Sequence, residues 1–304
     1  MQSFFINKEE KHSMKKLMRN FVIASALLCG IAISSTGCNS SIDNSRLVIG
    51  MECNYAPFNW TQYQANDFTL PVDGKSGQYA DGYDIAIAKL LSEDLGKEVV
   101  IRKTVWDSLT VDLSGGTINC IIAGMTDTEE RQKQIDFTNE YYRSELVFVT
   151  KLANVPAGNS DESPVSKDDF RTFVNGQIIE SQQGTVTDSM ISDVFVSYGA
   201  RHANAVDSFG TAANDVKNGN AFAMTAELPV AKSIVAANST SLGLVHIDQA
   251  ILGDKQAELG VSIGIKKGNI ELQEALNASL AKITTEKRLE LMTSAIDRSV
   301  NASE

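Results

Sequence analysis

Gly124-Met125-Thr126-Asp127-Thr128-Glu129-Glu130-Arg131 follows an apolar run at 118–123 and leads into a helical stretch. The run reads as a buried strand. Thr126 or Thr128 can cap the helix, and Glu129 and Glu130 suit its positive end. Arg131 is out of place there, because a cation in a first turn is unfavourable and needs a compensating anion. A bound carboxylate gripped bidentately by the guanidinium would serve, and so would a salt bridge to Glu129 or Asp127. In open α/β sheets the loops at the carboxyl ends of strands are where ligands bind, and this segment is such a loop.

On the N-terminal side, residues 46–51 form a second short apolar run bounded by polar residues. Residues 84–95 place Ile87, Leu90 and Leu91 at helical spacing and stop at Gly96, a residue suited to a helix C-terminus. A strand at 99–101, a helical stretch from Ser108 and the strand at 118–123 continue the alternation. Strands alternating with helices imply a mostly parallel sheet, and hence an α/β fold. After a strand at 146–150 and a Gly/Ser/Asn/Pro-rich loop at 156–164, a second α/β series runs from 177 to about 247. A strand at 259–265 and one long amphipathic helix from about Ile270 follow. The pattern describes two lobes, 46–147 plus 255–304 and 148–254, with the chain crossing between them twice as a hinge.

At 304 residues and 43% hydrophobic content the chain is long enough for two such cores. Residues 21–33 are apolar and preceded by Lys15, Lys16 and Arg19, a charged n-region and a short h-region. The segment ends in Ser35-Thr36-Gly37-Cys38, which resembles the lipobox of bacterial lipoproteins, with Ser35 where Leu is usual. The expectation is a signal peptide at 1–37, lipidation at Cys38, a flexible tether at 38–45 and anchorage on the extracellular face of the membrane. An ordinary signal peptide, releasing a soluble chain, is the alternative. Met14 is a second candidate start.

Residues 1–37 hold five Lys/Arg and two Glu, so their removal takes the net charge from −11 to −14. Such an acidic surface argues against nucleic-acid binding and against electrostatic docking on anionic lipid. Cys53 and Cys120 fall on or beside the buried strands and read as buried thiols, with a disulfide between them left open. The three histidines, His12, His202 and His246, match no zinc spacing, and no metal or other cofactor is expected.

Glu52-Cys53-Asn54-Tyr55-Ala56-Pro57-Phe58 follows the first strand, so Tyr55 and Phe58 sit on a strand-end loop. They can wall a ligand or cover the core. These features combine with others into a resemblance. Tyr-Ala-Pro-Phe at 55–58, Gly-Tyr-Asp at 82–84, Trp-Asp at 106–107, Gly-Met-Thr-x-Thr-x-x-Arg at 124–131, Asp-Phe-Thr at 136–138 and Tyr-Tyr at 141–142 resemble family 3 of the bacterial extracellular solute-binding proteins. The likeness holds from about 46 to 148 and more loosely to about 283.

The resemblance implies a periplasmic-binding-protein-like type II fold, with a ligand cleft between the lobes and hinge closure over a free amino acid. It implies delivery to an ABC permease by a monomer. It puts Arg131 on the ligand's α-carboxylate, helped by Thr126, and the Gly124 carbonyl on the α-ammonium, with Met125 beside it. Tyr55 and Trp106 would sandwich the side chain. Gln183, Gly184 and Thr185 look like the family's Gly-Thr turn, and Val186 offers only backbone where many members have Thr or Ser. Glu227 would pair with the α-ammonium, with a helix-start role ahead of Pro229 as its competitor.

Glu52 beside two aromatics suits a cationic side chain, so a basic amino acid is favoured over a neutral one such as glutamine or cystine. The alternatives are an enzyme on the same fold, of the cyclohexadienyl dehydratase kind, and a sensor acting through a partner. Two stretches depart from the family pattern. The segment Ile178-Ile179-Glu180-Ser181-Gln182 is more polar than a buried strand, and Thr284-Thr285-Glu286-Lys287 lacks an expected glycine.

Overall fold

The computed structural model describes residues 45–301. The signal segment 1–37, the Cys38 lipidation site and residues 38–44 of the tether lie outside the described residues. In chain order the strands begin with β1 (Arg46–Met51), β2 (Asn54–Tyr55), β3 (Asn59–Gln62), β4 (Leu70–Pro71) and β5 (Tyr79–Asp81). Helix α1 (Tyr83–Leu95), β6 (Glu98–Lys103), α2 (Leu109–Gly115), β7 (Cys120–Ile121), α3 (Glu129–Gln132) and β8 (Ile135–Arg143) follow. The next group is β9 (Leu146–Lys151), α4 (Lys167–Val174), β10 (Ile178–Glu180), α5 (Val186–Asp193) and β11 (Arg201–His202). The rest is α6 (Phe209–Asn218), β12 (Ala223–Glu227), α7 (Leu228–Ala236), β13 (Leu242–His246), β14 (Gly260–Lys266), α8 (Ile270–Leu280) and α9 (Thr285–Asn301).

The strands form two five-stranded sheets, ordered β6-β1-β7-β14-β8 and β11-β10-β12-β9-β13, and a small sheet β2-β3-β5-β4. In the first sheet β6, β1 and β7 run parallel while β14 is antiparallel to β7 and β8. The second repeats the plan with β11, β10 and β12 parallel and β9 antiparallel to β12 and β13. The chain passes between them at Ser144–Glu145 and again before β14. These crossings are neighbours, since Ser144 N–H donates to Leu259 O at 3.2 Å and Leu146 N–H to Gln249 Oε1 at 3.1 Å.

Alternation along β9 sorts its side chains. Val147 and Val149 join a core that runs through Leu47, Ile49 and Tyr83 of the first lobe. Leu146 and Phe148 join a second core, where Phe148 lies 5.1 Å from Phe195 and 5.8 Å from Phe170. Helix α1 ends as expected, with Gly96 in the left-handed region at φ 64° and its N–H returned to Ser92 O. Cys53 and Cys120 are buried free thiols.

The single long helix expected from Ile270 is instead two. Helix α8 ends at Leu280, and Thr284 Oγ1 accepts from Lys287 N–H at 3.2 Å at the opening of α9. The glycine missing from this junction is replaced by Arg288, which donates to Leu280 O at 2.7 Å and Ile283 O at 3.2 Å. Carbonyls at a helix end need a partner, and a guanidinium supplies it as well as a left-handed turn does. Helix α9 then packs on both α1 and α7. Arg298 reaches the buried Asp81 at 2.8 Å, and Ser299 Oγ meets Ser233 Oγ at 2.7 Å.

The polar stretch 180–182 is buried, and most of its groups are partnered. Ser181 Oγ contacts Thr187 Oγ1 at 2.9 Å and donates to Thr225 O at 3.1 Å. Thr185 caps α5 and donates to Gln182 O at 2.7 Å. Glu180 is only half satisfied: its Oε1 has no partner, and burial, with Asp215 hydrogen-bonded beside it, pushes the carboxyl up to about 7. A folded-state value above the unfolded one favours the folded chain at low pH and erodes that advantage as pH rises toward 7. Glu180→Gln should therefore flatten the dependence. Its melting midpoint should exceed the native chain's by a gap that grows from about pH 5 to about pH 8, as followed by circular dichroism.

Candidate functional site

The loop after β1 carries the first wall. Cys53 takes φ 51°, unusual for a residue with a side chain, and its N–H is held by Asn59 Oδ1 at 2.8 Å. That turn directs Tyr55 inward, where its ring lies parallel to Phe58 at 5.2 Å and to Phe209 of α6 at 5.1 Å. Gly124, after β7, has φ 60°, and a Cβ there would come within 2.7 Å of the Tyr55 ring. Only glycine permits the loop to approach so closely.

Thr128, not Thr126, caps α3, its Oγ1 accepting from Arg131 N–H. Among the described residues no carboxylate forms an ion pair with Arg131. Asp127 instead accepts from Gln132 Nε2 at 2.7 Å, and Glu130 pairs with Lys133. The guanidinium turns back across the cleft, donating to Thr126 O at 2.6 Å and to Gly184 O at 2.9 Å. It also lies over the Trp106 ring, 5.2 Å from the centroid. Burial pulls Arg131 down to about 10, while the charge of Glu227 acts to hold it up.

The second wall is built by turns following β10 and β12. Glu227 stands before α7 without capping it, and the helix-start role is thus not what holds it. Its Oε2 accepts from Tyr55 Oη at 2.6 Å. Burial raises the Glu227 carboxyl, and the Tyr55 hydroxyl and the Arg131 charge offset part of that rise. Gln182 Nε2 donates toward Glu52 at 3.3 and 3.5 Å. Burial likewise raises Glu52, with Asp107 adding to the rise and Gln182 and Lys103 opposing it. Trp106 Nε1 donates to Gly184 O at 3.2 Å.

These groups close on one another around a cavity of about 10 Å³, about the room that one water needs. Glu52, Tyr55, Trp106, Gly124, Thr126 and Arg131 line it from one side, and Thr185, Val186 and Glu227 from the other. The remaining sequence candidates are not on this wall. Phe58 is fully buried behind Tyr55, and Met125 is buried with its carbonyl accepting from Ser262 N–H. Gln183 lies in an adjoining outer cleft. Gly184 contributes its carbonyl to Arg131 and Trp106 instead. The expected Tyr55–Trp106 sandwich has other occupants here, since Tyr55 stacks on Phe58 and Phe209 and Trp106 on Arg131.

Gln182 and Phe209 line the cavity and were not singled out as site residues. For Gln182 a signal existed, the unexplained polarity of 178–182. For Phe209, one aromatic at a helix start, none did. Elsewhere, His246 Nδ1 lies 3.9 Å from Asp161 Oδ1 with Glu145 beside them, a grouping invisible in the histidine spacing. Asp161 is largely exposed there.

A cavity with a half-buried cation on one wall and a buried carboxylate on the other is suited to a small zwitterion, and relatives of this chain agree with that chemistry. It is 24% identical over 277 residues to the arginine-binding extracellular protein ArtP of Bacillus subtilis (strain 168), covering 91% of this chain and 96% of that one. It is 22% identical over 276 residues to the L-cystine-binding protein TcyJ of Escherichia coli (strain K12), covering 90% and 91%. The fold is that of the amino acid ABC transporter substrate-binding protein AbpA from Streptococcus pneumoniae Canada MDR_19A bound to L-arginine. The TM-score is 0.67 at 23% identity, over 84% of this chain and 96% of that one. The family model for bacterial extracellular solute-binding proteins, family 3, matches residues 47–294, and this chain belongs to that family.

Proposed function

We propose that this chain is the capture component of an amino acid ABC importer and that its ligand is a basic amino acid, arginine first. The observation that carries the reading is the placement of Arg131, Glu227 and Glu52 around one small cavity. Arg131 would exchange the Gly184 carbonyl for the ligand's α-carboxylate, a charge-assisted bidentate contact. Glu227 would exchange the Tyr55 hydroxyl for the α-ammonium. Glu52, whose partner is the neutral Gln182 amide, would take the side-chain cation. Each group already sits in a water-poor setting, where pairing with a ligand charge relieves the cost of burial.

Binding and release then follow from the hinge. Opening at the two crossings would part Tyr55 from Glu227, Glu52 from Gln182, and Arg131 and Trp106 from Gly184. Closure around a ligand would rebuild these walls on the ligand's own charges, shifting the population toward the closed form that a permease recognises. The chain acts as a monomer, and Cys38 carries the lipid that keeps it on the extracellular face of the membrane. No chemical step is needed for this role, because Arg131, Glu227 and Glu52 each take one charge of the ligand.

Three outcomes are expected. Calorimetric titration of the chain from Asn39, refolded to strip carried-over ligand, should give saturable arginine binding, and Arg131→Ala should weaken it by about 100-fold. Retention of affinity in that variant would remove Arg131 from the carboxylate. Glu52→Gln should cost about tenfold for arginine and leave glutamine affinity as it was; equal losses for both would make the ligand neutral. In a bacterial host the full chain should partition with membranes, and Cys38→Ala should shift it to the soluble fraction. A native chain found soluble would end the anchoring assignment.

A further inference from the structure

Asp84 is a carboxyl with no exposed surface, placed in the first turn of α1. It is not among the residues that line the cavity, yet both of its oxygens lead there. Oδ1 accepts from Tyr141 Oη at 2.7 Å, and that hydroxyl in turn accepts from Gly124 N–H at 2.9 Å. Oδ2 accepts from Asn59 Nδ2 at 2.8 Å, and Asn59 Oδ1 accepts from Cys53 N–H at 2.8 Å. The two backbone groups at the far ends belong to the two residues of the first lobe's cavity loops that take positive φ, Cys53 and Gly124. Asn59 and Asp84 are fully buried, and so is Tyr141.

Around this carboxyl the chain is drawn in tightly. Tyr83 N–H donates to Pro57 O at 3.0 Å and Asp84 N–H to Phe58 O at 2.8 Å, so the start of α1 grips the end of the 52–58 loop. Gly82 makes the approach possible, since a Cβ there would fall 2.2 Å from Phe58 O. Tyr83 Oη donates to Tyr141 O at 2.9 Å, tying the same helix start to β8. Burial pushes Asp84 up to about 7, and the Tyr141 and Asn59 hydrogen bonds, with Gly124 N–H, pull against that rise. An apolar or unpaired residue would leave Asn59 and Tyr141 without their partner.

We propose that Asp84 is the positioning residue of the binding site, a single buried carboxyl that sets the 52–58 and 124–126 loops at the spacing a ligand requires. This gives Gly82-Tyr83-Asp84 and Tyr141 a function that no cavity contact assigns to them. It rests on the reading of the cavity as an amino-acid site. The substitution Asp84→Asn can serve only one of the two arms. The new side-chain oxygen accepts from Tyr141, but the new amide faces the Asn59 amide, donor against donor. Exchanging the pair, Asn59→Asp with Asp84→Asn, reverses one hydrogen bond and restores both arms. The amide at position 84 then donates to the carboxylate at position 59, whose other oxygen still accepts from Cys53 N–H.

The experiment compares the native chain with Asp84→Asn, Tyr141→Phe and the double exchange Asn59→Asp/Asp84→Asn. Arginine affinity is measured by calorimetry, and amide exchange at Cys53 and Gly124 by NMR on the ligand-free protein. Asp84→Asn should bind about tenfold more weakly and exchange faster at Cys53, Tyr141→Phe should exchange faster at Gly124, and the exchanged pair should recover both affinity and protection. Affinity within about twofold of native in Asp84→Asn overturns the proposal. So does an exchanged pair that regains the melting midpoint but not the affinity, which would leave Asp84 a matter of stability alone. If the native chain binds no amino acid, the functional reading fails, and amide protection at Cys53 and Gly124 still decides whether Asp84 holds the loops.

Discussion

Tyr55 and Glu227 meet through a 2.6 Å hydrogen bond between residues 172 positions apart, and the two walls of the cavity join at that meeting. Tyr55 reaches it because Cys53 turns the chain and Gly124 leaves room for the ring. Glu227 reaches it because β12 delivers it at the strand's carboxyl end, ahead of a helix it does not cap. A buried carboxylate is costly unless paired, so the closed arrangement needs a donor at that point. Tyr55 serves in this conformation. A cationic ammonium is a stronger partner, and in the proposed function it takes the same place.

The same logic extends across the cavity. Arg131 has no acidic partner among the described residues and uses two backbone carbonyls and an aromatic face in its place. Neutral carbonyls satisfy its hydrogen-bonding geometry but not its charge. Glu52 likewise faces the Gln182 amide. Three charged groups, each with neutral hydrogen-bond partners, describe a surface whose electrostatic complement is a small molecule with one negative and two positive ends. That is the argument for a basic amino acid, and it comes from side-chain chemistry more than from any relative, since the relatives include both an arginine binder and a cystine binder.

Behind the cavity the control passes to groups that no ligand touches. Asp84, Asn59 and Tyr141 are buried polar groups linked in a chain, and such networks are worth having only when each member is satisfied. Their reward is a rigid pair of loops at the strand ends, where an open α/β sheet has no regular hydrogen bonding of its own to offer. Helix α9 plays a comparable part at larger scale. By packing on α1 and α7 together, it links the helix after the small sheet to the helix after β12.

Much of this was legible in the residues. The α/β order, the glycine stop at 96, the strand-end loops and the oddity of Arg131 in a first turn are local patterns, and local patterns survive without neighbours. The break at 281–284 was not legible, because the group that closes α8 is a guanidinium from the next helix, not a glycine in place. The polar strand at 178–182 could be noticed but not explained until Thr187 and Thr225 stood beside it. Spacing was enough for the fold class, and the resemblance carried by the motifs pointed to the family and to most of the residues on the cavity wall, from Glu52 to Glu227. Folding in three dimensions was needed to bring Gln182 and Phe209 onto that wall, to set Phe58 and Met125 behind it, and to put Asp84 in charge of its loops. Those facts depend on contacts between residues far apart in the chain, which packing creates and periodicity does not encode.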